Sequence, residues 1–275
     1  MRQDGKEQTL PSILHITAFT LSLHLGCAAV NADSSGHPCL EESGNETYFI
    51  SDVDKRAFYL TEDKERFFLA GLAAVDPAVF EKAHLMPMQA IPAGPQDRWD
   101  MTPAWFRLLN VDETMDAETT ENSAVLWQEV LLQEGLGLMD PQTLTEACAN
   151  RLQEFERSAQ NSRRGLWRRS QPLNASSPKV IEERLGQFVV IKGKIVSLGK
   201  TESTRYLNFG WKWKTDLTVT VSAKDEDRFK EHLAKADLTI EDLAKRTVQV
   251  RGWVELKDGP TLQLHTPAQL QLDVR

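Results

Sequence analysis

Cysteine is scarce in this sequence: Cys27, Cys39 and Cys148 are the only three in 275 residues. So few exclude a disulfide-dense scaffold, and without Cys or His partners at metal-ligand spacing they exclude a zinc finger or ribbon. A phosphate-binding glycine loop and a nucleophile elbow are missing too, which removes P-loop and α/β-hydrolase chemistry. The chain holds no internal repeat and no low-complexity tract. Its one long apolar stretch, residues 10–25, is interrupted by Pro, Ser, Thr and His and is too short to cross a bilayer, so no membrane span is expected.

That stretch follows Arg2 and Lys6 and runs into the small residues Cys27-Ala28-Ala29-Val30-Asn31-Ala32. Val30 and Ala32 fit a signal-peptidase site. Residues 1–32 are therefore read as an export signal, with a periplasmic or secreted destination. Leu25-Gly26-Cys27 also resembles the end of a lipoprotein box, which keeps a lipid anchor at Cys27 open; a buried N-terminal helix is the plainer alternative. Cleavage after Ala32 leaves Cys39 and Cys148. In an oxidising compartment that even pair is expected to form one disulfide, two unrelated thiols being the other reading.

The net charge of -8 is unevenly spread. Residues 1–178 carry 15 Lys+Arg against 26 Asp+Glu, a net of -11, whereas residues 179–275 carry 17 against 14, a net of +3. An acidic half repels a polyphosphate, so nucleic-acid contact is expected in the second half.

Residues 33–46, rich in Ser, Gly, Asp and Glu, read as an exposed arm. Short aromatic and aliphatic runs at 48–50, 57–60 and 67–72, separated by acidic turns, read as strands, followed by a helix at 77–85, a Pro-rich loop at 87–95 and a strand at 104–111. Apolar stripes at helical spacing predict helices over 122–134 and 141–164, with Gly135 and Gly165 at their ends. Residues 170–178 read as a linker. Beyond it, strands are expected at 188–196, 205–209, 217–223, 247–256 and 261–264. A helix at 225–233 precedes the fourth, the pattern of a small five-stranded OB-like barrel.

Five pieces in order carry a family resemblance. They are Asp52-Val53-Asp54, Phe68-Leu69-Ala70-Gly71-Leu72, Asp97-Arg98-Trp99-Asp100-Met101, Trp127 to Gly137, and the helix from Cys148 to Gly165-Leu166-Trp167. Together they span about residues 46–170 and resemble the staphylococcal nuclease-like, or thermonuclease, family. The resemblance implies a mixed β-barrel-plus-helix fold: a nuclease-like OB barrel with packed helices over 47–169, then the second barrel over 179–275. It also implies calcium-dependent phosphodiester hydrolysis. That chemistry needs carboxylates around a hard cation, a carboxylate acting on water, and two guanidinium forks on the phosphoryl oxygens.

Carried over position by position, most of these groups are gone. Asp54 matches the first metal aspartate and Asp52 its outer neighbour. The first arginine falls on Phe68 and the second on Met101. The second metal aspartate and the adjacent Thr fall on Ala73 and Ala74, and the catalytic carboxylate falls on Asp76. Losing groups each worth a few kcal/mol at the transition state predicts an impaired phosphodiesterase and no bound cofactor, calcium being the one metal implied. Arg66 and Arg98 are the rescue candidates. Arg163-Arg164 and Arg168-Arg169 read as cations at a helix end or as a phosphate grip.

In the second half, Tyr206, Phe209, Trp211 and Trp213 alternate with Lys212 and Lys214. That composition suits base stacking with charge on the backbone, so single-stranded nucleic acid is a candidate partner for residues 179–275; a core strand is the alternative. Three functions stay open: an exported binding protein, for nucleic acid or a protein, on a catalytically eroded nuclease frame; an active or weakened extracellular nuclease; and a pure protein-interaction module.

Overall fold

The computed structural model describes residues 36–41, 43, 46–54, 58–77, 79, 83, 86–109 and 125–273. The export signal and Cys27 lie outside them, as do parts of the segments expected at 33–46, 77–85, 104–111 and 122–134. Ser34–Arg275 form one compact unit of mixed sheets and helices, and no helix among the described residues is long and apolar enough to cross a membrane.

The first half is built on seven strands: β1 (Tyr48–Phe49), β2 (Asp52–Val53), β3 (Tyr59–Leu60), β4 (Arg66–Leu69), β5 (Leu72–Val75), β6 (Met88–Pro92) and β7 (Met101–Leu108). Six form one sheet in the order β1-β6-β7-β4-β3-β2, with β4 and β7 parallel. Its inner face buries Tyr59, Phe67, Met88, Ala90, Ala104 and Phe106. The run expected as one strand at 67–72 is two, because the chain turns at Ala70-Gly71. Gly71 has φ of 71°, and a Cβ there would lie 3.0 Å from the Trp105 ring, so the tight bend needs glycine. β5 thereby leaves the main sheet and pairs with β8 (Gly137–Met139). The Pro-rich stretch expected as a loop contains β6, whose Pro92 stands at the strand end while Met88, Ala90 and Ile91 point into the cores.

Helices α1 (Trp127–Gln133) and α2 (Glu146–Asn161) are shorter than expected. Pro141 and Gln142 belong to a turn on Asp140, and α2 starts only where Thr145 Oγ1 accepts the Cys148 N–H at 3.2 Å. The helix ends meet. Leu166 N–H donates to Gly135 O at 2.8 Å, both glycines have positive φ, and a Cβ on either would collide with the other's neighbouring backbone. The motif glycines are therefore set by backbone approach. Cys39 and Cys148 are joined by a disulfide with their Cα atoms 4.6 Å apart, which ties residues 36–41 to α2.

A short helix α3 (Leu166–Arg169) leads into residues 170–178, expected as a linker. They are packed: Leu173 and Ala175 are buried, and β9 (Leu173–Asn174) pairs with β10 (Phe188–Lys194) after the short helix α4 (Pro178–Glu182). The remaining strands are β11 (Ser197–Lys200), β12 (Thr204–Asn208), β13 (Thr218–Ser222), β14 (Thr247–Trp253), β15 (Glu255–Leu256), β16 (Pro260–Leu264) and β17 (Leu270–Leu272), with helix α5 (Ala223–Ala234) before β14. They form sheets β17-β14-β10-β9 and β11-β12-β13-β16-β15 around one apolar core that includes Phe229 and Leu233 of α5. Residues 179–275 hold eight strands where five were expected: β11 and β17 are additional, and 247–256 divides into β14 and β15.

The halves are joined by more than the chain. Arg251 of β14, 2% exposed, ion-pairs with Glu156 of α2 at 2.7 Å and donates to Met139 O at 3.1 Å. Glu156 in turn accepts the Met139 N–H at 2.9 Å. Around this buried pair, Leu138, Ala159 and Trp167 pack on Phe188 and Val190.

Candidate functional site

The positions that resemble a phosphodiesterase site fall in two groups, one on the first sheet and one on and just after β5. Cross-strand register puts Asp52, Leu60, Arg66 and Met101 in one row on the outer side of the first sheet, with Phe68 opposite Pro103 beside it. Asp54 follows β2, and its carboxylate accepts the Phe58 N–H at 3.1 Å. Ala73 and Ala74 lie on β5, outside that sheet, against the apolar cluster of Leu138, Trp167 and Val190. Asp76 ion-pairs with Arg169 at 2.7 Å, so one of the candidate helix-end cations is held there. Arg164 donates to Gln133 O at 3.2 Å and has Glu134 at 3.7 Å. Among the described residues, no three His, Cys, Asp or Glu side chains converge as a metal site.

The rescue arginines both contact Trp99. Arg66 Nη2 donates to Trp99 O at 2.6 Å, and the Arg98 guanidinium lies 4.9 Å over the exposed Trp99 ring. Asp97 orders that loop by accepting the N–H groups of Trp99 at 2.7 Å and Met101 at 3.0 Å. Phe68 lines a cavity of about 410 Å³ with Pro38, Pro95, Pro103 and Trp105, next to the disulfide. The same cavity also carries Ser43, Asp140, Thr143 and Thr145.

The Trp127-Gln128-Glu129 run is also structural. Trp127 Nε1 donates to the buried Tyr59 hydroxyl at 2.8 Å, and burial pushes that phenol's pKa up. Gln128 accepts from Phe106 N–H at 3.2 Å and donates to Ala104 O at 2.8 Å, extending the β7 ladder with a side chain. Glu129 accepts from Arg151 at 2.8 Å and from the Leu126 N–H at 3.1 Å, and lies 3.0 Å from His37 Nε2. Burial alone would raise its pKa; the hydrogen bonds from His37, Arg151 and Leu126 outweigh it and hold the carboxyl below the ordinary range.

The aromatic–lysine run of the second half divides by strand parity. Leu207 and Phe209 point inward, and Phe209 is 6% exposed in the core, which removes it from the expected stacking set. Tyr206 lies half-buried on the other side of β12, between Gly199 and Thr220. The turn joining β12 to β13 carries the rest. Trp211 is 81% and Trp213 60% exposed, with Lys214 Nζ 5.1 Å over the Trp213 ring. This tip is ordered from within: Asp216 Oδ2 accepts the Lys212 N–H at 2.8 Å, and Lys212 O accepts the N–H groups of Thr215 and Asp216 at 2.9 and 2.7 Å. Asp216 packs so closely on Gly210 that a Cβ there would collide with its carboxylate, and the Gly259 turn rests on the Lys214 backbone. Asp216 and Gly210 were not singled out from the sequence, although Gly and Thr-Asp are ordinary turn formers.

No family model matches this chain, and no curated protein does. Among solved structures, two OBodies, each bound to hen egg-white lysozyme, are similar to part of it. One is 20% identical, covering 34% of this chain and 85% of its own with a TM-score of 0.24. The other is 17% identical, covering 36% and 91% with a TM-score of 0.25. Likeness at that level assigns neither fold nor activity.

Proposed function

We propose that this is an exported binding protein for single-stranded nucleic acid, built on a thermonuclease-like frame whose hydrolytic site has eroded. The observation that carries the reading is the tip at 210–216, where two tryptophans stand in water on a turn fixed by its own hydrogen bonds. A rigid, solvent-facing indole loses little freedom when a base stacks on it, and each stacked base contributes about 1–3 kcal/mol. Lys212 and Lys214 add a salt-dependent attraction to phosphate. The meander β11-β12-β13, the parallel pair β13–β16 and the helix between β13 and β14 support an OB-type barrel for this half. The Cys39–Cys148 disulfide supports an oxidising destination.

Titration of the full protein with a fluorescent single-stranded oligonucleotide at two salt concentrations tests the reading. Trp211→Ala should weaken binding roughly 5- to 150-fold, the equivalent of about 1–3 kcal/mol. Affinity indifferent to that change, or absent at low salt, would leave a protein partner as the occupant of the tip.

One observation favours a second reading, a weakened hydrolase: Arg66 stands in register with Met101 in a row that also holds Asp52. Calcium-dependent digestion of plasmid and RNA decides it. The erosion reading expects no cleavage above background, and turnover abolished by Asp54→Ala would establish the hydrolase.

A further inference from the structure

A cleft of about 790 Å³ lies between α2 and α5, with β10, β14 and β17 along its floor. It is distinct from the tryptophan tip: the tip precedes β13 and α5 follows it directly, so β13, roughly 17 Å long, separates them. Its lining holds no Trp, Tyr or Phe, and its one aromatic ring is the imidazole of His232.

The lining is rich in carboxamides and cations. Lys192 is paired with Asp273 at 2.9 Å and Lys235 with Glu146 at 2.6 Å, which leaves Arg157, Arg228 and Glu231 as its remaining fully charged side chains. Arg157 makes no ion pair or hydrogen bond among the described residues, and Arg228 makes one, to His265 O at 3.3 Å. Two guanidiniums against one carboxylate favour an anion. Gln160 and Gln249, bonded to each other at 2.9 Å, keep donors and acceptors for hydroxyl groups, while the Nε2 of Gln271 is a buried donor with no partner. The buried Arg251–Glu156 pair ties the α2 wall to the β14 floor, and the Lys235–Glu146 pair links the end of α5 to the start of α2.

We infer that this cleft binds a sugar phosphate, with Arg157 and Arg228 on the phosphate and the carboxamides on the sugar hydroxyls. The same chemistry comes from a free sugar phosphate or from the backbone of a nucleic-acid strand. Calorimetric titration of the full protein at low salt with ribose 5-phosphate and, separately, with an abasic oligonucleotide distinguishes the sources. Saturable binding of either probe is expected. The exposed pair Arg157→Ala and Arg228→Ala together should weaken it at least tenfold without moving the unfolding midpoint, and Trp211→Ala should leave it unchanged. No saturable binding of either probe at millimolar concentration, or full binding by the double arginine variant, would overturn the assignment. Because the probes carry no base, failure here leaves the tryptophan tip untouched, and failure at the tip leaves this cleft untouched.

Discussion

Trp105 and Trp127 of the first half are buried, one against Gly71 and the other hydrogen-bonded to Tyr59, with Trp99 the exposed exception, whereas Trp211 and Trp213 of the second half stand in water. Polar groups show a related contrast. In the first half, Arg66 binds a carbonyl, Asp76 an arginine, and Glu129 three donors. These side chains are engaged in contacts within the fold. The second half encloses a continuous core between its sheets and presents its largest side chains at a fixed turn. The contrast teaches that polar side chains of the first half serve its own packing, while the second half carries indoles outside its core.

The largest expected effect breaks the comparison by separating the halves. Arg251→Ala leaves Glu156 buried without its counter-ion and should cost about 3–5 kcal/mol in denaturant unfolding. Arg251→Met with Glu156→Leu should recover much of that loss, since a buried ion pair replaced by apolar side chains is often neutral. If Arg251→Ala unfolds at the wild-type midpoint, the halves are not coupled through this pair.

Next in size is the disulfide. Replacing Cys39 and Cys148 by Ser should destabilise by about 2–4 kcal/mol and loosen the first half before the second. Hydrogen exchange that rises equally in β4 and β13 would contradict the local character of that effect. A smaller effect attends Glu129. Its folded carboxyl titrates below the ordinary value of 4.5, so its contribution is fully present above that pH and is lost as pH falls through the lowered folded value. Glu129→Gln should therefore lower stability by about 1–3 kcal/mol at neutral pH and flatten the acid limb of the stability curve. An unchanged acid limb would place that titration elsewhere. Smallest of all, Trp211→Ala with Trp213→Ala should move stability by no more than about 0.5 kcal/mol, because neither indole is in the core. A loss of several kcal/mol would mean that these rings support the fold.

The second half was the more legible in the sequence. Its alternation placed β10, β12, β13, β16 and α5 within a few residues of where they lie, because each has one face on the core. β11 was missed since Gly199 and Lys200 weaken its pattern, and β9 since Leu173 and Ala175 sit among turn-forming residues. Only the tertiary fold brings Ala175 against Gly193, where a Cβ would not fit. In the first half, strands of two residues carry too little pattern to be read, and the split at Gly71 depends on Trp105, more than thirty positions away. The tip residues were found by composition, yet composition alone also selected Phe209, which parity with Leu207 assigns to the core.

Arg251 belongs to a strand of one half and its counter-ion to a helix of the other, so the connector at 170–178 is no place to cut. A fragment beginning there would carry an orphaned guanidinium beside the bared faces of Phe188 and Val190, and its complement an orphaned carboxylate beside Trp167. Either piece alone would lose the contacts of that seam. Recombination at this seam would have to exchange Glu156 and Arg251 together.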